Sequence, residues 1–171
     1  MKIIVVSGGF DPLHSGHLAY INKASLLGDH LIVALNSDKW LTEKKGQPFM
    51  SFNERKEILE NLKAVNEVIG FDDSDGSCCD ALEQIKLSYP EGKIIFCNGG
   101  DRDKTNIPEM IVQNIDFEFG VGGDDKKNSS SWILKNWLGE AEDRVWGKFF
   151  NLYKNEKIKL KELIIYAGKG M

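Results

Sequence analysis

The stretch Lys2-Ile3-Ile4-Val5-Val6, followed by Ser7-Gly8-Gly9-Phe10-Asp11-Pro12-Leu13-His14-Ser15-Gly16-His17, decides how this chain folds. Its first five residues form a short apolar, β-branched run of the kind buried in a strand. After His17, the segment from Leu18 to Leu27 is apolar at helical spacing, and Gly28 closes it. The glycines and histidines therefore occupy a strand-to-helix turn at the C-terminal end of a strand, where open α/β sheets bind ligands. Gly8 and Gly9 let backbone N–H groups approach an anion, and the following helix adds its positive end. His14 and His17, three residues apart, are expected to project to one side of that first turn.

The same alternation continues outward. His30 to Asn36 reads as a second strand, apolar through its middle. Ser37 to Met50 reads as a polar connection carrying Lys39, Lys44 and Lys45 and broken at Gly46-Gln47-Pro48. Ser51-Phe52-Asn53-Glu54 has the form of a capping box opening a helix to about residue 62. Further strands are expected at 65–71, 93–97 and 116–121, with helices at 80–87, 108–114 and from Ser129 to about residue 138. Strands alternating with helices predict an α/β domain, a Rossmann-like five-stranded parallel sheet flanked by helices. The rhythm then changes. Residues 145–153 and 158–166 read as two strands joined by a polar turn, a C-terminal β-hairpin appendage. The expected division is residues 1–141 and 142–171.

Composition narrows the function classes. A net charge of −4, with no basic block interleaved with aromatics, disfavours a nucleic-acid partner. No apolar run reaches membrane-spanning length and no signal-peptide pattern opens the chain, so a cytoplasmic location without membrane attachment is expected. Three cysteines, Cys78, Cys79 and Cys97, are an odd count without framework spacing, which argues against structural disulfides.

The segment His14-Ser15-Gly16-His17, placed after Gly8-Gly9-Phe10-Asp11, resembles the H-x-G-H motif of the nucleotidylyltransferase superfamily. That superfamily includes cytidylyltransferases, small adenylyltransferases and, more distantly, class I aminoacyl-tRNA synthetases. The resemblance implies that His14 and His17 contact a nucleoside triphosphate, with Gly8, Gly9 and Phe10 shaping the turn beneath it. It also puts Asp11 near the reacting phosphates, orienting a donor or meeting Mg²⁺ carried by the nucleotide. From Ser37 to Lys56 the chain looks like the glycerol-3-phosphate cytidylyltransferases, which makes Lys44 a phosphate-binding lysine and Arg55 an active-site arginine. The family's second lysine is replaced by Gly46, and Lys45 is the neighbour able to reach in. Gly99-Gly100-Asp101-Arg102 resembles the loop that approaches base and ribose. Lys126-Lys127-Asn128-Ser129-Ser130-Ser131 resembles the loop and helix start holding the β- and γ-phosphates, although the expected arginine position carries Asp124. Lys126 or Lys127 must then supply the charge, with Ser129 and Ser130 offering hydroxyls and amides. Homodimers are common in the family, and one is expected here.

The tail from Val145 to Gly170, with its Trp146-Gly147 pair and Ala167-Gly168-Lys169-Gly170 turn, resembles the opening of a sugar-phosphate-isomerase-type cupin. It could equally be a hairpin that covers a sheet edge or makes a dimer contact. The leading expectation is a cytidylyltransferase joining CTP to a small phosphorylated alcohol, polyol or sugar and releasing pyrophosphate. Two alternatives stand beside it. One is an ATP-dependent sugar-phosphate adenylyltransferase, because Lys45-Gly46 with Pro48 also resembles heptose-phosphate adenylyltransferases. The other is a nucleotide-binding module with weak turnover, suggested by the displaced arginine.

Overall fold

The computed structural model describes residues 1–99, 102, 105, 107–123, 129–131, 133–134, 142–154, 157 and 159–169. The chain divides into two compact units, Met1–Lys127 and Asn128–Met171. In the first, β1 (Lys2–Gly8), β2 (His30–Leu35), β3 (Glu67–Gly70), β4 (Lys93–Cys97) and β5 (Asp116–Glu118) form one sheet in the order β3-β2-β1-β4-β5. Every pairing is parallel. Helices α1 (Ser15–Ser25), α2 (Asp38–Lys45), α3 (Phe52–Glu60) and α4 (Cys79–Ser88), with a 3₁₀ turn at Pro108–Ile111, make the connections.

The period-two pleat of β1 explains why helices cover both faces. Ile4 and Val6 point to one side, where they join Ile21 and Ala24 of α1 and Leu59 of α3. Ile3 and Val5 point to the other and meet Ala81, Leu82 and Ile85 of α4. All four β1 residues are fully buried, each worth about 1.5–3 kcal/mol of apolar burial. The chain runs from β1 out to β2 and β3, then crosses back to β4 on the far side of β1. The order thus reverses between β1 and β4, which places the crevice outside the C-terminal end of β1.

One expectation needs correction and another an addition. Residues 37–50 are not a plain polar connection: Asp38–Lys45 is a helix, capped by Ser37 Oγ accepting from the Trp40 N–H. Gly46, at φ +91°, ends it with its N–H on the Thr42 carbonyl. The Ser cap and C-terminal glycine are ordinary helix punctuation, hidden by the polar run between them. In the second unit the expected hairpin is present as β7 (Gly147–Lys154) and β8 (Lys159–Ile165), and among the described residues β6 (Glu142–Arg144) adds an antiparallel strand beside β7. Gly147 lies against β8 so closely that a Cβ there would be 2.0 Å from the Ile164 carbonyl oxygen. In the same unit Ser130, Ser131, Ile133 and Leu134 are helical, the Ile133 N–H donating to Ser129 O at 3.1 Å. No helix among the described residues is long and apolar enough to cross a membrane.

One side chain ties the segments around the crevice together. Arg55, on α3, has a fully buried guanidinium. Its Nη1 donates to the carbonyls of Gly9 (2.7 Å) and Asn36 (3.0 Å), and its Nε donates to Met50 O (3.2 Å). Its Nη2 meets Asp38 Oδ1 at 2.6 Å. The turn after β1, the end of β2, the start of α2 and the entry to α3 therefore share one cation. Arg55→Met should destabilise the fold by about 3–5 kcal/mol, because three carbonyls and a carboxylate lose their donor together. Arg55→Lys should recover only part of this, since one ammonium lacks the planar fork. Urea unfolding of the two variants checks both outcomes.

Candidate functional site

Ser7 and Gly8 end β1, and the chain turns at Gly9 and Phe10. The glycines serve packing rather than torsion. A Cβ at Gly9 would lie 2.8 Å from Leu41 Cδ2, and one at Gly8 would lie 3.2 Å from the Phe10 ring. The left-handed residue is Phe10 itself, at φ +48°. That conformation costs a non-glycine residue about 1–2 kcal/mol. The Phe10 ring is 3% exposed and packs edge-on against His17, with centroids 4.9 Å apart.

His14 occupies the N-cap of α1, where its Nδ1 accepts from the Gly16 N–H at 3.1 Å. With Nδ1 an acceptor, the neutral ring carries its proton on Nε2. The ring of His17 stacks on that of His14 with centroids 3.7 Å apart. Burial first, then the facing His14 and Lys45 charges, push the His17 pKa down to about 3. His14 is lowered as well, by burial and then by Lys45. Both imidazoles are therefore neutral near pH 7. His17 Nδ1 is buried without a hydrogen-bond partner among the described residues, the kind of orphan that a water or ligand normally satisfies.

Asp11 is 1% exposed, and its carboxylate is fully engaged. Oδ2 accepts from the Phe49 N–H and Oδ1 from the Met50 N–H, both at 2.8 Å. Its carbonyl accepts from Lys45 Nζ at 2.6 Å. The expectation is that Asp11 orients a donor or meets a metal; here its carboxylate accepts two main-chain amides and holds residues 49–50 against the turn after β1. Among the described residues, no cluster of three or more His, Cys, Asp or Glu is arranged to hold a metal. Arg55, expected to touch substrate, lies beneath the turn with no exposed side-chain surface.

Lys44, one turn after Trp40, places Nζ 4.2 Å from the centre of the indole. Its pKa is lowered by burial, then by the charges of Arg102 and Lys45. Gly99, after β4, is hemmed in: a Cβ would lie 2.9 Å from Val121 O and 3.2 Å from the Tyr20 ring. The buried Tyr20 hydroxyl donates to the Cys97 carbonyl, so α1 is pinned to the end of β4. Gly8, Gly9, Phe10, Asp11, His14, His17, Lys44, Lys45 and Arg55 thus share one locality, whereas Ser129 and Ser130 belong to the second unit. Gly100, Asp101, Lys126 and Lys127 lie outside the described residues.

Sequence reasoning missed Trp40, which sits half-buried between Lys44 and the glycine turn. Its spacing of four from Lys44 was the available signal, once a helix is recognised there. Cys78 and Cys97 are buried thiols held in the protonated form. Burial raises the Cys78 thiol pKa far above its ordinary value and moves that of Cys97 to about 12.

Residues 5–118 match the family model for cytidylyltransferase-like domains. The bifunctional protein HldE of Wolinella succinogenes is 45% identical over 142 residues, covering 81% of this chain and 27% of that protein. The FAD synthase of Thermococcus sibiricus is 49% identical over 92 residues, covering 53% of this chain and 60% of that protein. The glycerol-3-phosphate cytidylyltransferase of Bacillus subtilis is 41% identical over 69 residues, covering 40% of this chain and 54% of that protein. The chain spans only about a quarter of the HldE protein it matches. A sheet ordered β3-β2-β1-β4-β5, a paired-histidine turn at its switch point and a match over residues 5–118 agree: this chain belongs to the cytidylyltransferase-like family of nucleotidyltransferases.

Proposed function

We propose that the chain transfers a nucleotidyl group from CTP or ATP to a small phosphorylated alcohol, polyol or sugar, with release of pyrophosphate. The observation that carries this reading is the stacked pair of neutral imidazoles at the start of α1, beside Lys44 and Lys45. An acceptor phosphate oxygen attacks the α-phosphorus, a P–O bond forms, and the bond to the pyrophosphate oxygen breaks. The protein's task is to hold two mutually repelling anions in line and to stabilise charge on the transferring group. His14, with Nδ1 committed to its cap, offers Nε2–H. The α1 amides and the lysine ammonium groups add donors that need no reorganisation. Mg²⁺ carried by the triphosphate would neutralise phosphate charge, and among the described residues no cluster of three or more His, Cys, Asp or Glu is arranged to hold it directly.

The cytidylyl reading is supported by the family description and by the likeness of residues 37–56 to glycerol-3-phosphate cytidylyltransferases. The adenylyl reading is supported by Lys45-Gly46 with Pro48 and by the relative named for FAD, an adenine dinucleotide. Pyrophosphate release measured with CTP and ATP against a panel of phosphorylated alcohols and sugars separates them. Tight nucleotide binding with no turnover for any pair would leave a binding module in place of an enzyme.

His17→Ala should lower kcat by about 10²–10³, the usual cost of removing one preorganised stabiliser. A loss below about tenfold would take His17 out of the mechanism. The depressed His17 pKa also predicts acid sensitivity. The unfolded chain takes up the proton near pH 6.5 while the folded site resists it to about pH 3, so stability falls as pH drops through that window. Urea midpoints measured between pH 7 and pH 5 should decline, and His17→Gln should flatten the decline.

A further inference from the structure

We propose that Trp40 is a positioning residue that holds the Lys44 ammonium toward the acceptor's phosphate, its indole forming a wall of the acceptor subsite. This rests on the transfer reaction proposed above. Trp40 and Lys44 are one turn apart on α2, and Lys44 Nζ stands 4.2 Å from the centre of the ring. At its other edge the indole abuts the phosphate turn, where a Cβ on Gly9 would be 3.6 Å from Trp40 Cζ3. The ring thus bridges the lysine and the backbone of the histidine-bearing turn. Among the described residues Lys44 makes no ion pair. A lysine held by a carboxylate must give up that partner before it takes an anion. One held against a neutral π face keeps its full charge and offers its remaining N–H groups.

The helix carrying both residues is anchored on either side of them. At its start, buried Asp73 accepts from the Ser37 N–H and hydroxyl, both at 2.7 Å, and Asp38 takes the Arg55 guanidinium. At its end, Lys45 Nζ donates to Asp11 O. The neighbouring Lys44 therefore rises from a fixed base, with its tip against the indole. Trp40 is half-buried, so part of a flat apolar surface stands open beside a cation. A phosphate on a short carbon skeleton matches that pair: charge on the ammonium, carbon on the ring.

The test uses the full chain and two readouts. In steady-state kinetics with the nucleotide and acceptor that turn over, Trp40→Leu should raise the acceptor KM about tenfold while changing kcat less than about threefold. Trp40→Phe should stay within about threefold of wild type, because a ring is retained, and nucleotide KM should not change. Trp40→Leu combined with Lys44→Ala should raise the acceptor KM by clearly less than the product of the two single effects, because part of the ring's effect runs through the lysine. Multiplying losses, or an unchanged KM in Trp40→Leu, overturns the proposal. Separately, titration with inorganic phosphate should change tryptophan emission in wild type, but not in Trp40→Phe or Lys44→Ala. The same change in all three proteins overturns it. If no nucleotide and acceptor pair turns over, the transfer reading fails, and the emission titration still decides the role of Trp40.

Discussion

The architecture of the crevice depends on one buried cation. Arg55 is enclosed in the protein, and its donors end on three main-chain carbonyls and one carboxylate from four different segments. A guanidinium without water would be costly, and here every contact that offsets the cost also fixes a loop. Gly9 is held from below, and so the turn carrying the histidines has a floor. Asn36 is held where β2 ends, Asp38 where α2 begins, and Met50 before α3 starts. Asp38 closes the circuit by accepting the Phe52 N–H with its second oxygen at 3.0 Å. The arrangement sets a geometry that is not left to the ligand.

Above that floor the charge balance is deliberately one-sided. Burial first lowers the proton affinity of His14, His17, Lys44 and Lys45; the Lys45 charge then adds to the effect on the other three, and Arg55 to that on Lys45. The Asp11 carboxylate gives both oxygens to backbone amides while its charge partly offsets that of Lys45. Burial beside other cations lowers proton affinity here, an environment that favours the approach of an anion. Phe10, strained at positive φ and buried, supports His17 from the apolar side.

Much of this was legible in the sequence because it followed local rules. The strand, glycine turn and helix around residues 2–28 obey period, cap and turn preferences, and they put the histidines where the structure has them. The helix at residues 38–45 was not read, because its exposed face is nearly all charged and only Leu41 is buried. Arg55 and Asp11 were recognised as important but assigned to the ligand. A charged side chain quoted from a motif carries no mark of whether it points into solvent or beneath the turn. That distinction is tertiary: Arg55 finds Gly9, 46 residues away, and Asp11 finds Met50, 39 residues away. The third strand of the C-terminal sheet, Glu142–Arg144, was missed for a simpler reason, being three charged residues with no apolar alternation.

The grip of Asp11 on the segment after α2 has a consequence for divergence. It seizes main-chain amides of Phe49 and Met50 rather than their side chains. Any pair of residues other than proline presents those same two groups, so this edge of the crevice can exchange its side chains and still return to the same place. A lineage can thereby change the side chains along this edge while the turn after β1 keeps its support, and a library randomised at positions 49 and 50 would inherit that freedom.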